Sequence, residues 1–176
     1  SGVKIEMIIR GICCLVSGIQ GATQRIQVKS IIGGFLEHSR IFIFGPDEEC
    51  KIYISSADLM TRNTEKRVEV AAPIYDEEIK QDLIERFRIM WSDNMKCRIQ
   101  TSAGTYRRVE FSEGEECLDS QMYFYELAYK NSADKQSIKQ GGLPLNESAT
   151  LRQPERSIPV VKDHPSVFKK IKHFFS

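Results

Sequence analysis

Apolar and polar positions divide the chain into short β-type runs, two helical stripes and a polar tail. Ile5, Met7, Ile8, Ile9, Ile12 and Leu15 crowd the stretch from Val3 to Leu15, which predicts a buried strand interrupted by one cation, Arg10. Ser17 to Gln24 reads as a loop carrying Gly18 and Gly21. Alternation returns over Arg25 to Ile32 and breaks at Gly33-Gly34. Arg40 to Phe44 and Cys50 to Ser55 flank Gly45-Pro46 and the turn residues Asp47 to Glu49, so they predict an antiparallel hairpin. Arg67 to Ile74 predicts a further strand, closed by Pro73.

The clearest helix follows Asp76, a good N-cap with Glu77 and Glu78 in the first turn, where the helix dipole favours acids. Ile79, Leu83, Phe87 and Met90, joined by Ile84 and Trp91, form one stripe at helical spacing. Lys96 to Gln100 and Tyr106 to Glu110 predict a second hairpin around Ala103-Gly104, and Leu118 to Lys130 predicts a second helix rich in aromatics. From Asn131 to Pro159 the chain is rich in Ser, Gln, Asn, Gly and Pro, as linkers and wrapping tails are. Val167 to Phe175 alternates Lys with Phe and Ile and predicts a short basic amphipathic helix that docks on protein rather than on a membrane. The expected division is one domain over 3–130 and a linker or tail over 131–176.

Composition narrows the classes. The formal charge of +1 supplies no global basic field, so a site for anions has to be built locally. No apolar run approaches the roughly 18 residues needed to span a bilayer. Ser1-Gly2 reads as an expression scar, and no signal peptide is evident. Cys13, Cys14, Cys50, Cys97 and Cys117 are odd in number and lack metal-type spacing, so they read as reduced, buried small hydrophobes. Reduced cysteines favour a cytoplasmic protein, with peripheral attachment at the inner membrane face as the only membrane contact considered.

The chemistry concentrates in Phe35-Leu36-Glu37-His38-Ser39-Arg40. Two residues apart at a strand entry, His38 and Arg40 project from one face and can address one anion. An imidazole exchanges protons near neutral pH, and a guanidinium holds phosphate oxygens in a fork. The spacing alone equally fits a satisfied, half-buried histidine. Ser55-Ser56-Ala57-Asp58 follows a strand end, where hydroxyls and backbone N–H groups suit phosphate oxygens, and Arg62 and Arg67 come soon after. Arg10, in an apolar run, requires either a carboxylate partner such as Glu37 or Glu69, or a ligand.

Ile9-Arg10-Gly11-Ile12-Cys13-Cys14-Leu15, Phe35 to Arg40, Ile54-Ser55-Ser56-Ala57-Asp58, Met60-Thr61-Arg62-Asn63 and Arg67-Val68-Glu69 together resemble polyphosphate kinase. Ser92-Asp93-Asn94, Lys96-Cys97-Arg98, Ser120-Gln121 and Tyr125-Glu126-Leu127 extend the resemblance, which covers about residues 3–129. It implies the last of that enzyme's four domains: an α/β fold, a phospholipase-D-like half with a central mixed β-sheet flanked by helices, followed here by an irregular C-terminal tail. Against the phospholipase motif H-x-K-x-x-x-x-D, His38 and Arg40 stand at the first two positions and Gly45 at the third, while Ser55 to Asp58 is similar to G-S-x-N. These departures speak against a phosphodiesterase.

The family's activity, by resemblance, is reversible transfer of the γ-phosphate of ATP to inorganic polyphosphate through a phosphohistidine on the preceding domain. His38, His164 and His173 are not that nucleophile. The resemblance implies that His38 is a second, catalytic histidine which, with Arg10, contacts the nucleotide's phosphates, and that Arg40, Ser56, Arg62 and Arg67 line the polyphosphate path. It implies ATP as substrate and magnesium bound mainly by the rest of the enzyme, with no metal ligand here. Its partners are the preceding domain and, in full length, further copies of the enzyme. Two other readings remain: a non-catalytic polyanion-binding module, and half of a phospholipase-D-type hydrolase. Nucleic acid would call for stacking aromatics beside the cations, whereas Phe35, Phe42 and Phe44 sit at core-like spacing.

Overall fold

The computed structural model describes residues 2–46, 49–110 and 114–138, the last seven of these for backbone only. Of the expected tail over 131–176, residues 139–176, with the expected helix over Val167 to Phe175, lie outside the described residues. Among the described residues, seven strands and three helices follow one another as β1 (Ile5–Ile8), β2 (Ile26–Ile31), β3 (Ile41–Phe44), β4 (Lys51–Ser55), α1 (Thr61–Lys66), β5 (Ala71–Ile74), α2 (Glu77–Trp91), β6 (Cys97–Gln100), β7 (Tyr106–Arg108) and α3 (Ser120–Ile138). The fold is therefore mixed α/β, as expected. Its strands form two hydrogen-bonded sheets, ordered β1-β2-β6-β7 and β3-β4-β5.

In the first sheet β1 runs parallel to β2, while β6 and β7 add antiparallel, with Ile31 opposite Cys97 and Gln100 opposite Tyr106. The strand expected over Val3 to Leu15 stops at Ile8, and Ile12 is 90% exposed. At the far end of that stretch a side chain takes over the backbone pairing. Gln100, buried at the end of β6, accepts from the Ser17 N–H at 2.9 Å and donates to the Leu15 carbonyl at 3.0 Å. An amide side chain thus takes backbone groups that a longer strand would have offered to a neighbour. Arg10 consequently stands in a bend beyond β1, not within an apolar strand.

The second sheet is built on the expected hairpin. Phe42 pairs with Tyr53 and Ile43 with Ile52, and β5 covers the other edge of β4 with Pro73 opposite Tyr53. Alternation sends Ile41 and Ile43 to one face, where they pack with Cys50, Ile52, Ile74, Leu83 and Ile84 as the core between this sheet and α2. Phe42 and Phe44 occupy the other face and stack at 6.4 Å; Phe44 is 58% exposed. The core-like spacing of these aromatics therefore marks an open sheet face. Asp76 caps α2 as expected, accepting from the Ile79 N–H at 3.0 Å.

Asp93 ties the two halves of this scaffold together. One carboxylate oxygen accepts from the N–H groups of Lys96 and Cys97, and the other from the N–H and hydroxyl of Ser120, all within 3.0 Å. The turn after α2, the start of β6 and the first residue of α3 thus share one buried acid. α3 continues past Lys130 to Ile138. All five cysteines are free, but only Cys50 and Cys97 are buried; Cys14 and Cys117 are exposed, contrary to the expectation for small core residues. No helix among the described residues is long and apolar enough to cross a membrane.

Candidate functional site

A cluster of charged side chains gathers where several strand ends meet. Arg10 follows the C-terminal end of β1, and Glu37 to Arg40 lead into β3. Ser55 to Asp58 leave β4, Arg62 and Asn63 lie in α1, and Glu69 precedes β5. Pairing between the sheet's strands continues past their formal ends: Ser55 N–H donates to the Arg40 carbonyl at 2.9 Å, and Ser56 N–H to Val70 at 3.0 Å. The polar residues consequently sit on a hydrogen-bonded frame.

Asp58 is the hub. Its Oδ1 accepts from Arg40 Nε at 2.8 Å and from Arg10 NH2 at 3.2 Å; its Oδ2 accepts from the NH2 groups of both, each at 3.3 Å. Arg10 NH1 also donates to the Glu37 carbonyl at 2.9 Å, joining the bend after β1 to the loop that carries His38. The Arg40 hydrogen bond and charge hold the Asp58 carboxyl below the usual range, with Arg10 and Arg62 adding to the effect, and the same bond raises Arg40.

Arg40 also determines the surroundings of His38. Its NH1 lies 3.4 Å from His38 Nδ1 and its NH2 lies 3.4 Å from Nε2. The in-plane directions of the two ring nitrogens diverge, so one planar fork cannot bond both end-on, and the guanidinium packs close against the ring. His38 remains exposed. The reading of His38 as a satisfied, half-buried histidine therefore does not describe it.

A second carboxylate lies beside the first. Glu69 accepts from the Ser56 hydroxyl and, at 2.7 Å, from Asn63 Nδ2, and these bonds lower its carboxyl. Ser56 in turn accepts from the Val70 N–H at 3.1 Å, so its hydroxyl is engaged on both sides. Of the expected site residues, Arg10, His38 and Arg40 come together directly. Arg62 is near enough to act on Asp58 and Arg67 on Glu69, while Ser56 belongs to the Glu69 pair. The expected acid partner of Arg10, Glu37 or Glu69, is corrected to Asp58.

Two positions contribute more than their sequence context suggested. Asp58 closes a segment whose serines carry the local phosphate signal, and only folding brings it to cations 48 and 18 residues away. Gln121 of α3 accepts from the Phe35 N–H at 3.0 Å and donates to the Phe35 carbonyl at 2.7 Å and Glu37 Oε1 at 2.6 Å. It thereby latches the His38 loop from 86 residues away. Among the described residues, no three His, Cys, Asp or Glu side chains converge as metal ligands. Asp58 and Glu69 are both occupied by donors, so these two acids do not fit a magnesium site.

A family model described as Polyphosphate kinase C-terminal domain 2 matches residues 1–121. The chain belongs to the polyphosphate kinase family. Among curated relatives, a polyphosphate kinase of Staphylococcus epidermidis is 46% identical over 148 residues, covering 83% of this chain and 20% of the relative. One from Lactiplantibacillus plantarum is 52% identical over 124 residues, covering 70% and 17% respectively. The crystal structure of polyphosphate kinase from Porphyromonas gingivalis superposes with a TM-score of 0.69 at 32% identity, over 76% of this chain and 20% of that one. The chain thus spans about one fifth of the length of the relatives it matches, and its fold is that of the matched part of the Porphyromonas gingivalis structure.

Proposed function

We propose that this chain works as the C-terminal domain of a polyphosphate kinase that reversibly transfers the γ-phosphate of ATP to inorganic polyphosphate. The observation that supports this most is the convergence of Arg10, Arg40 and exposed His38 around one carboxylate at the strand ends. In this reading the phosphoryl group is carried by a histidine on the preceding domain, outside this chain. Magnesium contacts belong to that part too.

Phosphoryl transfer spreads charge over several oxygens at once, so catalysis rests on position and electrostatics. Arg10 commits NH1 to the Glu37 carbonyl and NH2 to Asp58, leaving its Nε–H and remaining amino protons for phosphate oxygens. His38 presents its ring edges beside it, to donate a hydrogen bond or move a proton at the transferring phosphate. Arg40, Arg62 and Arg67 line the route of the polyanion at this end of the sheet, while Ser56, whose N–H and hydroxyl are both committed, supports Glu69.

The test is ATP-dependent polyphosphate synthesis by the whole enzyme with His38→Ala and with Arg10→Ala. Both variants are expected to keep their fold and lose at least about tenfold in kcat/KM; unchanged turnover with unchanged stability would remove the assignment. The 176-residue chain by itself is expected to synthesise no polyphosphate, and vigorous synthesis by it would overturn the division of the site between domains.

A further inference from the structure

We infer that Asp58 is a positioning residue of the phosphate site: it clamps Arg10 and Arg40 together and so fixes the Arg40 guanidinium against the His38 ring. The inference rests on the functional reading above and adds to it a residue that touches no phosphate itself. An isolated surface ion pair between flexible chains contributes little and needs no function. Asp58 differs in three respects. It holds two arginines that arrive from separate parts of the chain, using both carboxylate oxygens. Each arginine is fixed a second time, Arg10 on the Glu37 carbonyl and Arg40 against His38. Finally, Arg62 acts on the same carboxylate, so removing Asp58 leaves three cations facing one another.

Two guanidiniums this close repel each other in the absence of an anion. A site that relied on its substrate to bring them together would spend binding energy on that approach at each turnover. Asp58 brings them together beforehand through both of its oxygens, and Arg10 keeps its Nε–H and remaining amino protons free to donate. Its single negative charge offsets only part of the local positive charge, so the cluster still attracts a polyanion.

The test compares Asp58→Asn in the whole enzyme with the same change in an Arg10→Ala Arg40→Ala background. A positioning role predicts a loss of about tenfold in kcat/KM for ATP in the first case and less than about twofold in the second, because the clamp then has nothing to hold. An equal loss in both backgrounds, or no loss in the first, overturns the inference. Arg40→Lys keeps the charge but not the fork, and is expected to match the Asp58→Asn loss; full activity in that variant overturns it equally, and guards against Asp58→Asn failing to fold. In the 176-residue chain, Asp58→Asn is expected to shift the His38 ring and Arg40 Nε resonances while the Trp91 indole stays in place, and an unmoved His38 ring counts against the clamp. The functional reading fails separately, if His38→Ala and Arg10→Ala are silent. Activity lost in those two but retained in Asp58→Asn removes only the clamp.

Discussion

Gln121 fills the space that a side chain on Gly33 would need. A Cβ built on Gly33 would fall on the carboxamide of Gln121, whose Oε1 and Nε2 are both engaged with the loop at Phe35 and Glu37. The glycine thus allows α3 to approach the loop closely enough to hold it, two residues before Phe35 and five before His38. Gly33→Ala is expected to displace the carboxamide and destabilise the chain by about 1–3 kcal/mol, the range for breaking buried polar contacts. Because the two positions share one contact, the loss should be smaller in a Gln121→Ala background. Urea unfolding of the two single variants and the double variant measures this, and strictly additive losses would contradict it.

Asp93 is 1% exposed and accepts four hydrogen bonds. Asp93→Ala leaves those donors buried without a partner and is expected to cost about 3 kcal/mol or more. Asp93→Asn should cost less, since an acceptor oxygen remains. Chemical denaturation ranks the two, and an alanine variant as stable as the parent would refute the joint described here.

The clamp and its neighbour should be sensitive to acid. The ordinary carboxyl values are 3.8 for Asp58 and 4.5 for Glu69, and both are lowered in the fold, chiefly by Arg40 and by Ser56 respectively. Groups with depressed values stabilise the folded state fully above the unfolded value and lose that contribution as pH falls through the folded one. Stability of the parent chain is therefore expected to fall more steeply below about pH 4 than that of an Asp58→Asn Glu69→Gln variant. Thermal melts across pH 2–6 compare the slopes, and parallel curves would argue against coupling.

Ile52 is 1% exposed at the centre of the core between the second sheet and α2. Ile52→Ala is expected to cost about 2–5 kcal/mol through lost burial and a residual cavity. Ile12→Ala, at a position 90% exposed, should change stability by less than about 0.5 kcal/mol. Equal losses at the two sites would mean that the bend after β1 is buried after all.

The cysteines should separate by exposure. Cys14 and Cys117 are expected to react with a thiol reagent within the mixing period of a native sample. Cys50 and Cys97 should wait for unfolding, and burial also pushes the Cys97 thiol up. Mass mapping of labelled peptides distinguishes them.

Much of this was legible in order along the chain. The hairpin of β3 and β4, the Asp76 cap, the stripe of α2 and the Ala103-Gly104 turn follow from local alternation, spacing and capping chemistry, which depend on residues close in sequence. The ordered motifs around Arg10, His38 and Ser55 to Asp58 pointed to polyphosphate kinase, and the family match over residues 1–121 agrees. Where local apolar content alone was used, it misled. Val3 to Leu15 reads as one buried strand, but β1 ends at Ile8, Gln100 takes the Leu15 carbonyl, and Ile12 stands in solvent. Phe42 and Phe44 look like core and stand on the open face, because alternation fixes which residues share a face and not which face is covered.

The sequence by itself determined the family and most of the elements, though not α1 or the end of β1, since each rests on a short run of neighbours. Tertiary structure alone decided that Asp58, rather than Glu37 or Glu69, holds Arg10 and Arg40, and that Gln121 holds the His38 loop. Such pairings join positions from 18 to 86 residues apart, and a carboxylate or carboxamide gives no local sign of which distant donor it will meet. Only packing of the two sheets, α1 and α3 brings those partners within hydrogen-bond reach.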